Sequence, residues 1–173
     1  MRTLADQLVQ YAAYHRDDRN IATHFVGIPM IVFAASALLS RPHGFVVDIP
    51  CSPAIAMAIA FATFYLSLDL ALGAVMSVFM ATAAWFGWWS AEQQTYLWLL
   101  IGVGGFVVGW AFQLLGHIYE GKKPAFMDDI MGLAIGPLFV LVEVLFKVGL
   151  LKSLRTEIEQ RAGRVRRRKA MVA

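Results

Sequence analysis

The chain has 173 residues, enough for one domain, with 59% of them hydrophobic, only 16% charged and a net charge of +3. Soluble domains run at about 45–50% apolar and about 25% charged, so this composition, with a mean hydropathy of +0.62, excludes an ordinary soluble domain and points to an integral membrane protein. The single Cys51 excludes an intrachain disulfide framework and a multi-cysteine zinc motif.

The first twenty residues carry charges throughout and lack an apolar core of signal-peptide length. Leu4, Leu8, Tyr11, Ala12 and His15 recur at helical spacing over 3–15. This predicts an amphipathic helix, lying on the bilayer or packed on a bundle. The polar loop Arg16–Asn20 breaks it, and Asn20 is placed to cap the next helix. A first apolar segment, 21–39, contains His24 and Pro29, which can kink it. The run 54–89 is too long for one span and holds Asp69 near its middle. A lone carboxylate at mid-bilayer is costly, so two helices, 54–68 and 71–89, are expected as a hairpin. Trp85, Trp88 and Trp89 resemble an interfacial aromatic belt.

A fourth segment, 95–116, carries the Gly105–Gly109 pair, a spacing that lets helices approach closely. The fifth, from about 128 to 150, is interrupted by Gly136-Pro137. Asp128 and Asp129 open it, suited to a helix N-terminus or to orienting an imidazole. Glu143 inside it needs a partner, and Lys147 is one turn away. The fold expected is all-α: one membrane-embedded domain, with an amphipathic helix and turn over 1–20, a bundle of about five apolar helices over 21–150, and a basic tail over 151–173. The arginines of that tail read as a topology signal and lipid contact, with no nucleic-acid partner. The positive-inside rule assigns the tail to the cytoplasm, in the inner membrane of a bacterium.

Three of four histidines sit where apolar segments meet polar loops. His15 and His24 flank Arg16–Asn20, and His117 ends the fourth segment. On one unbroken helix nine residues subtend about 900°, so His15 and His24 would face opposite ways. A turn between them is therefore required if they are to meet. His24 and His117 share a membrane face only if 54–89 doubles back. Glu120 follows His117 at i+3, and Gln113 lies one turn before it on the same face. Neutral imidazoles with a carboxylate suit Fe(II), Zn(II) or Mn(II). His43, in a loop between prolines, reads as structural. Lys122 and Lys123, usually loop charges, can also attract a fatty carboxylate beside such a site.

These residues fall in a pattern. The run Tyr11-x2-Tyr14-His15-x4-Asn20-x3-His24-x4-Pro29, the run Gln113-x2-Gly116-His117-x2-Glu120-x3-Pro124-Ala125-x2-Asp128, and Gly136-Pro137-Leu138-Phe139-Val140-x2-Glu143-x2-Phe146 together resemble a family of small membrane proteins, the yeast-type 2-hydroxy fatty acid dioxygenases of phytosphingosine breakdown. The resemblance covers nearly the whole chain. It implies an Fe(II) enzyme that shortens a long-chain 2-hydroxy fatty acid by one carbon with O2, with His15, His24 and His117 as iron ligands and Glu120 as a fourth. It departs at Arg16, where a second histidine often follows the first, and at Asp129, where an asparagine is expected. The substrate's carboxylate and hydroxyl can chelate a metal and its own electrons can serve O2, so no 2-oxoglutarate is needed. Phe25, Phe33, Phe112 and Phe126 are available to pack or to line an acyl groove. Two other readings stay open: a different metal-dependent lipid hydroxylase or hydrolase, and a membrane transporter or scaffold. Oligomeric state is not legible.

Overall fold

A computed structural model describes residues 2–47 and 49–166. Its order is α1 (Leu4–Ala12), α2 (Asp18–Ser40), a two-stranded ribbon of β1 (Gly44–Val46) and β2 (Ile49–Cys51), α3 (Pro53–Leu68), α4 (Leu70–Ala91), α5 (Thr95–Leu99), a π-helical turn (Leu100–Gly104), α6 (Gly105–Glu120), a 3-10 turn (Ala125–Met127), α7 (Met131–Lys147) and α8 (Lys152–Ala162). The expected all-α architecture is present. The ribbon, paired Gly44 to Cys51, is the one sheet among the described residues.

Among the described residues there are three to four candidate spans rather than the five or so expected. Three are long and apolar enough to cross a membrane: α2, α4 and the continuous stretch Thr95–Glu120. A fourth exists only if α7 and α8 form one broken span, because the axis bends by 116° between them. Helix α3, with 16 residues, is a shorter apolar helix.

The chain divides into two compact units, one of Met1–Ile28 with Phe112–Ala173 and the other of Pro29–Ala111. In the second unit, the expected break at Asp69 occurs and takes a single residue. Asp69 is extended, ends α3, and caps α4 by accepting the Leu72 amide at 2.8 Å. A Cβ at Gly73 would sit 2.5 Å from Leu66 Cα. Glycine thus lets α4 fold back against α3, and the doubled-back pair is established. The approach at Gly105 is looser: a Cβ there would sit 3.3 Å from Ala34 Cβ. Phe33 packs against Phe79 and Phe86, so it is a packing residue. Trp85 and Trp89 are exposed.

In the first unit, α1 starts on a capping box between Thr3 and Asp6. It packs on α7 and α8, burying Leu8, Tyr11 and Ala12. Three local expectations change. Asn20 is not the cap of α2; the helix begins at Asp18, and Asp17 Oδ1 accepts the Arg19 amide at 3.0 Å instead. Gly136-Pro137 does not interrupt α7, which runs through both residues. A proline removes one amide donor. The burial of Ile135, Leu138 and Phe139 around it offsets that loss, and Gly136 leaves room for the Tyr11 hydroxyl, 3.0 Å from where its Cβ would be. Glu143 does not pair with Lys147: Lys147 lies over the Phe25 ring at 3.9 Å, and the nearest cation to Glu143 is Arg16, at 3.9 Å. The tail, expected only as a basic segment, contributes α8; Arg167, Arg168 and Lys169 lie outside the described residues.

Candidate metal centre

Helix α1 delivers His15 just past its last turn, where the His15 amide still donates to Ala12 O at 3.0 Å. The chain reverses through Arg16 and Asp17, and α2 carries His24 two turns in. His117 lies in the last turn of α6. The turn that convergence requires is present, although it is shorter than the loop Arg16–Asn20. The three rings meet: centroids are 4.6 Å apart for His15 and His24, 5.0 Å for His15 and His117, and 5.1 Å for His24 and His117. One donor atom from each lies within 4.8 Å of the others, and all three residues are buried.

Hydrogen bonding fixes two of the tautomers. His15 Nδ1 lies 2.7 Å from Tyr11 O, and His24 Nδ1 lies 2.8 Å from Asn20 O. A carbonyl can only accept, so each Nδ1 carries the proton and donates it to the carbonyl one turn earlier. In the neutral ring Nε2 then holds a lone pair. Burial, and next the neighbouring His24, push the His15 pKa well below its ordinary value, so His15 is neutral at physiological pH. The two Nε2 atoms face each other at 3.1 Å. Two acceptors at that distance have no proton to share and repel unless a cation joins them. Imidazole–zinc bonds are about 2.0–2.1 Å, and two such bonds at a right angle separate their nitrogens by about 3 Å. The donor set fits a first-row divalent ion, and His117 adds a buried Nδ1 with no hydrogen-bond partner.

The surroundings are tightly specified. Tyr11 stacks on His15 at 4.1 Å and 7°, and Phe139 packs against both rings. Gly116 brings α6 onto α2: a Cβ there would collide with Thr23 Oγ1 and Asn20 Oδ1 and lie 3.1 Å from His24 Nδ1. Gln113 is buried with its Nε2 unpartnered.

Glu120, expected as a fourth ligand, is engaged elsewhere. Its Oε2 accepts the amides of Arg16 at 2.8 Å and Asp17 at 2.7 Å, and the Asn20 side chain at 3.2 Å. Its Oε1 accepts Arg166 Nη2 at 2.7 Å. The acids at the start of α7 do not orient an imidazole. Asp128 binds the Tyr14 hydroxyl and Lys123, while Asp129 accepts the Met131 amide and pairs with Arg2. Lys122 donates to Ala13 O. His43, in the other unit, binds Ser40 O and packs on Trp88, as its structural reading implies.

The description "2-hydroxy-palmitic acid dioxygenase Mpo1-like" belongs to a family model that matches residues 1–148. The chain belongs to this family. Among curated proteins it is similar to the 2-hydroxy-palmitic acid dioxygenase MPO1 of Saccharomyces cerevisiae, at 29% identity over 158 residues, 90% of this chain and 87% of the relative. No solved structure matches. Membership of this Mpo1-like family supports an oxygenase of fatty-acid metabolism. Tyr11 and Gly116 stand in the family-like runs of the sequence, but their roles, stacking and close approach, required the fold. Arg166 lies beyond the matched residues and carried no signal but its charge.

Proposed function

We propose that this membrane protein is an Fe(II)-dependent dioxygenase that converts a long-chain 2-hydroxy fatty acid and O2 into the acid one carbon shorter, CO2 and water. His15, His24 and His117 are the metal ligands. The observation that carries the proposal is the pair of facing, unprotonated Nε2 atoms at 3.1 Å beside a third buried imidazole, in a chain of this family. When bound, iron supplies a redox partner for O2 and an anchor for the carboxylate and hydroxyl of the substrate.

The chain's own contribution is order and dryness. The carbonyls of Tyr11 and Asn20 hold two rings in the tautomer that presents Nε2. Tyr11 and Phe139 wall the His15 side and exclude water from it. Held by three neutral imidazoles, such an ion would be able to take a bidentate substrate and O2. Glu120 enters through the turn it holds rather than as a donor to the metal. The location proposed is a bacterial inner membrane, with the centre and the basic segment on the cytoplasmic side.

Purified protein should bind one equivalent of Fe(II) and shorten 2-hydroxypalmitate by one carbon, incorporating label from labelled O2. His117→Ala should lower this activity by at least about 100-fold, the upper range seen when support of a metal ligand is lost. Full activity without iron would refute the proposal. A hydrolase would take no oxygen from O2, and a hydroxylase would keep the carbon count.

A further inference from the structure

The carboxylate of Glu120 is fully buried, yet it points at backbone rather than at the imidazole cluster. Its side chain has 0% exposure. Oε2 gathers two consecutive amides, those of Arg16 and Asp17, at 2.8 and 2.7 Å. These are the residues that reverse the chain between His15 and His24. Asn20 Nδ2 joins the same oxygen at 3.2 Å and also donates to Tyr14 O at 3.2 Å. One carboxylate on α6, three residues after His117, thus holds both sides of the turn whose closure brings His15 toward His24. Buried amides at a chain reversal need acceptors, and no helical partner is available to them there.

The other oxygen of Glu120 is tied to the segment after α8. Arg166 Nη2 donates to Oε1 at 2.7 Å. The same segment pairs with the turn as an isolated parallel bridge between Asp17 and Arg166. The Arg166 amide donates to Arg16 O at 2.6 Å, and the Asp18 amide donates to Arg166 O at 3.3 Å. The Arg16 side chain completes the contact, donating from Nη1 to Gly163 O at 2.9 Å and from Nε to His15 O at 2.9 Å. Residues 163–166 therefore lie across the turn as a strap, bonded to its backbone and to the carboxylate beneath it. This strap lies outside the residues 1–148 that match the family.

We propose that Glu120 is the positioning residue of the metal centre and that residues 163–166 are a latch which it fastens over the His15–His24 turn. Metal affinity is then set in part by a segment that contributes no ligand. This rests on the metal-centre reading above. It assigns Glu120 a role different from coordination, and it makes the C-terminal segment part of the site.

The test uses the full chain in lipid nanodiscs, with Glu120→Gln, Arg166→Met and Arg166→Lys. Arg166 is exposed apart from its bond to Glu120, so its variants should fold even if Glu120→Gln does not. In metal-free protein, hydrogen exchange should speed up at the Arg16 and Asp17 amides in Glu120→Gln and Arg166→Met, with helix content unchanged. Titration with Co(II) should show affinity about 10–100-fold weaker in both, while the absorption bands of the loaded protein stay as in the wild type. Arg166→Lys, which keeps the charge against Oε1, should recover most of the affinity. Altered Co(II) bands in Glu120→Gln would make Glu120 a ligand and overturn the inference. Wild-type affinity in Arg166→Met would overturn the latch. A wild-type chain that binds no metal would instead refute the reading of the centre itself, which separates the two failures.

Discussion

At the scale of single residues, the centre depends on a few atoms that have no alternative. Gly116 is one. A methyl group there meets Thr23 Oγ1 and Asn20 Oδ1 at impossible distances and presses on the nitrogen that His24 uses to bind Asn20 O. Overpacking of this kind costs about 1–3 kcal/mol, and here the strain falls on a ligand's orientation. Gly116→Ala should weaken metal binding about tenfold or more, measured by titration at a temperature where the fold is intact. Unchanged affinity would show that α2 and α6 have no need of this approach. The histidines themselves were legible in the sequence, because three imidazoles at the borders of apolar segments stand out in a chain with so few polar groups. Glu120 was legible only as a neighbour of His117. Helical spacing put it on the ligand face; it could not show that the amides of Arg16 and Asp17, 104 and 103 residues away, would claim it first.

At the scale of elements, hydropathy located the apolar segments well and their ends poorly. The break at Asp69 followed from the cost of a carboxylate within a long apolar run, and the fold agrees. The ends of α2 and the continuity of α7 were missed because packing decided them: Asp17 displaced Asn20 as cap, and a buried face carried α7 through Pro137. Helix α8 was not expected as an element. Its docking is partly electrostatic, since Arg161 Nη2 reaches Asp6 Oδ1 on α1 at 2.7 Å. That bond first, and the Thr3 hydroxyl and amide next, lower the Asp6 pKa from 3.8 to about 2. A depressed carboxylate pKa contributes stability above 3.8 that is lost as pH falls through about 2. In Arg161→Met the Asp6 midpoint, followed by carboxyl carbon NMR, should rise part of the way back toward 3.8, because Thr3 remains. Both partners are well exposed, and such pairs are worth little. Neutral-pH stability should therefore hardly change, and an unmoved midpoint would show that the pair does not form in solution.

At the scale of the whole molecule, charge and the centre together bear on the orientation proposed above. Arg41 is the only lysine or arginine between residues 20 and 121; the others fall in the stretches before and after. Five full crossings would put the histidines and the basic tail on opposite faces. In the fold α7 turns by 116° into α8, and Arg166 comes back to bond Glu120, whose other oxygen holds the Arg16 amide next to His15. The histidines and the described start of the tail lie together in one compact unit, and the orientation proposed above would put them on the cytoplasmic side. Helix α2 is long and apolar enough to cross a membrane; if it does, its two ends lie on opposite sides. Cys51, exposed and unpaired, follows its C-terminal end and is a natural reporter. A membrane-impermeant maleimide should label it in intact bacterial cells. In a Cys51→Ser background, Lys122→Cys, just past the end of α6, should be labelled only after the membrane is opened. The reverse pattern would invert the protein in the membrane, and labelling of both positions from one side would mean that α2 does not cross.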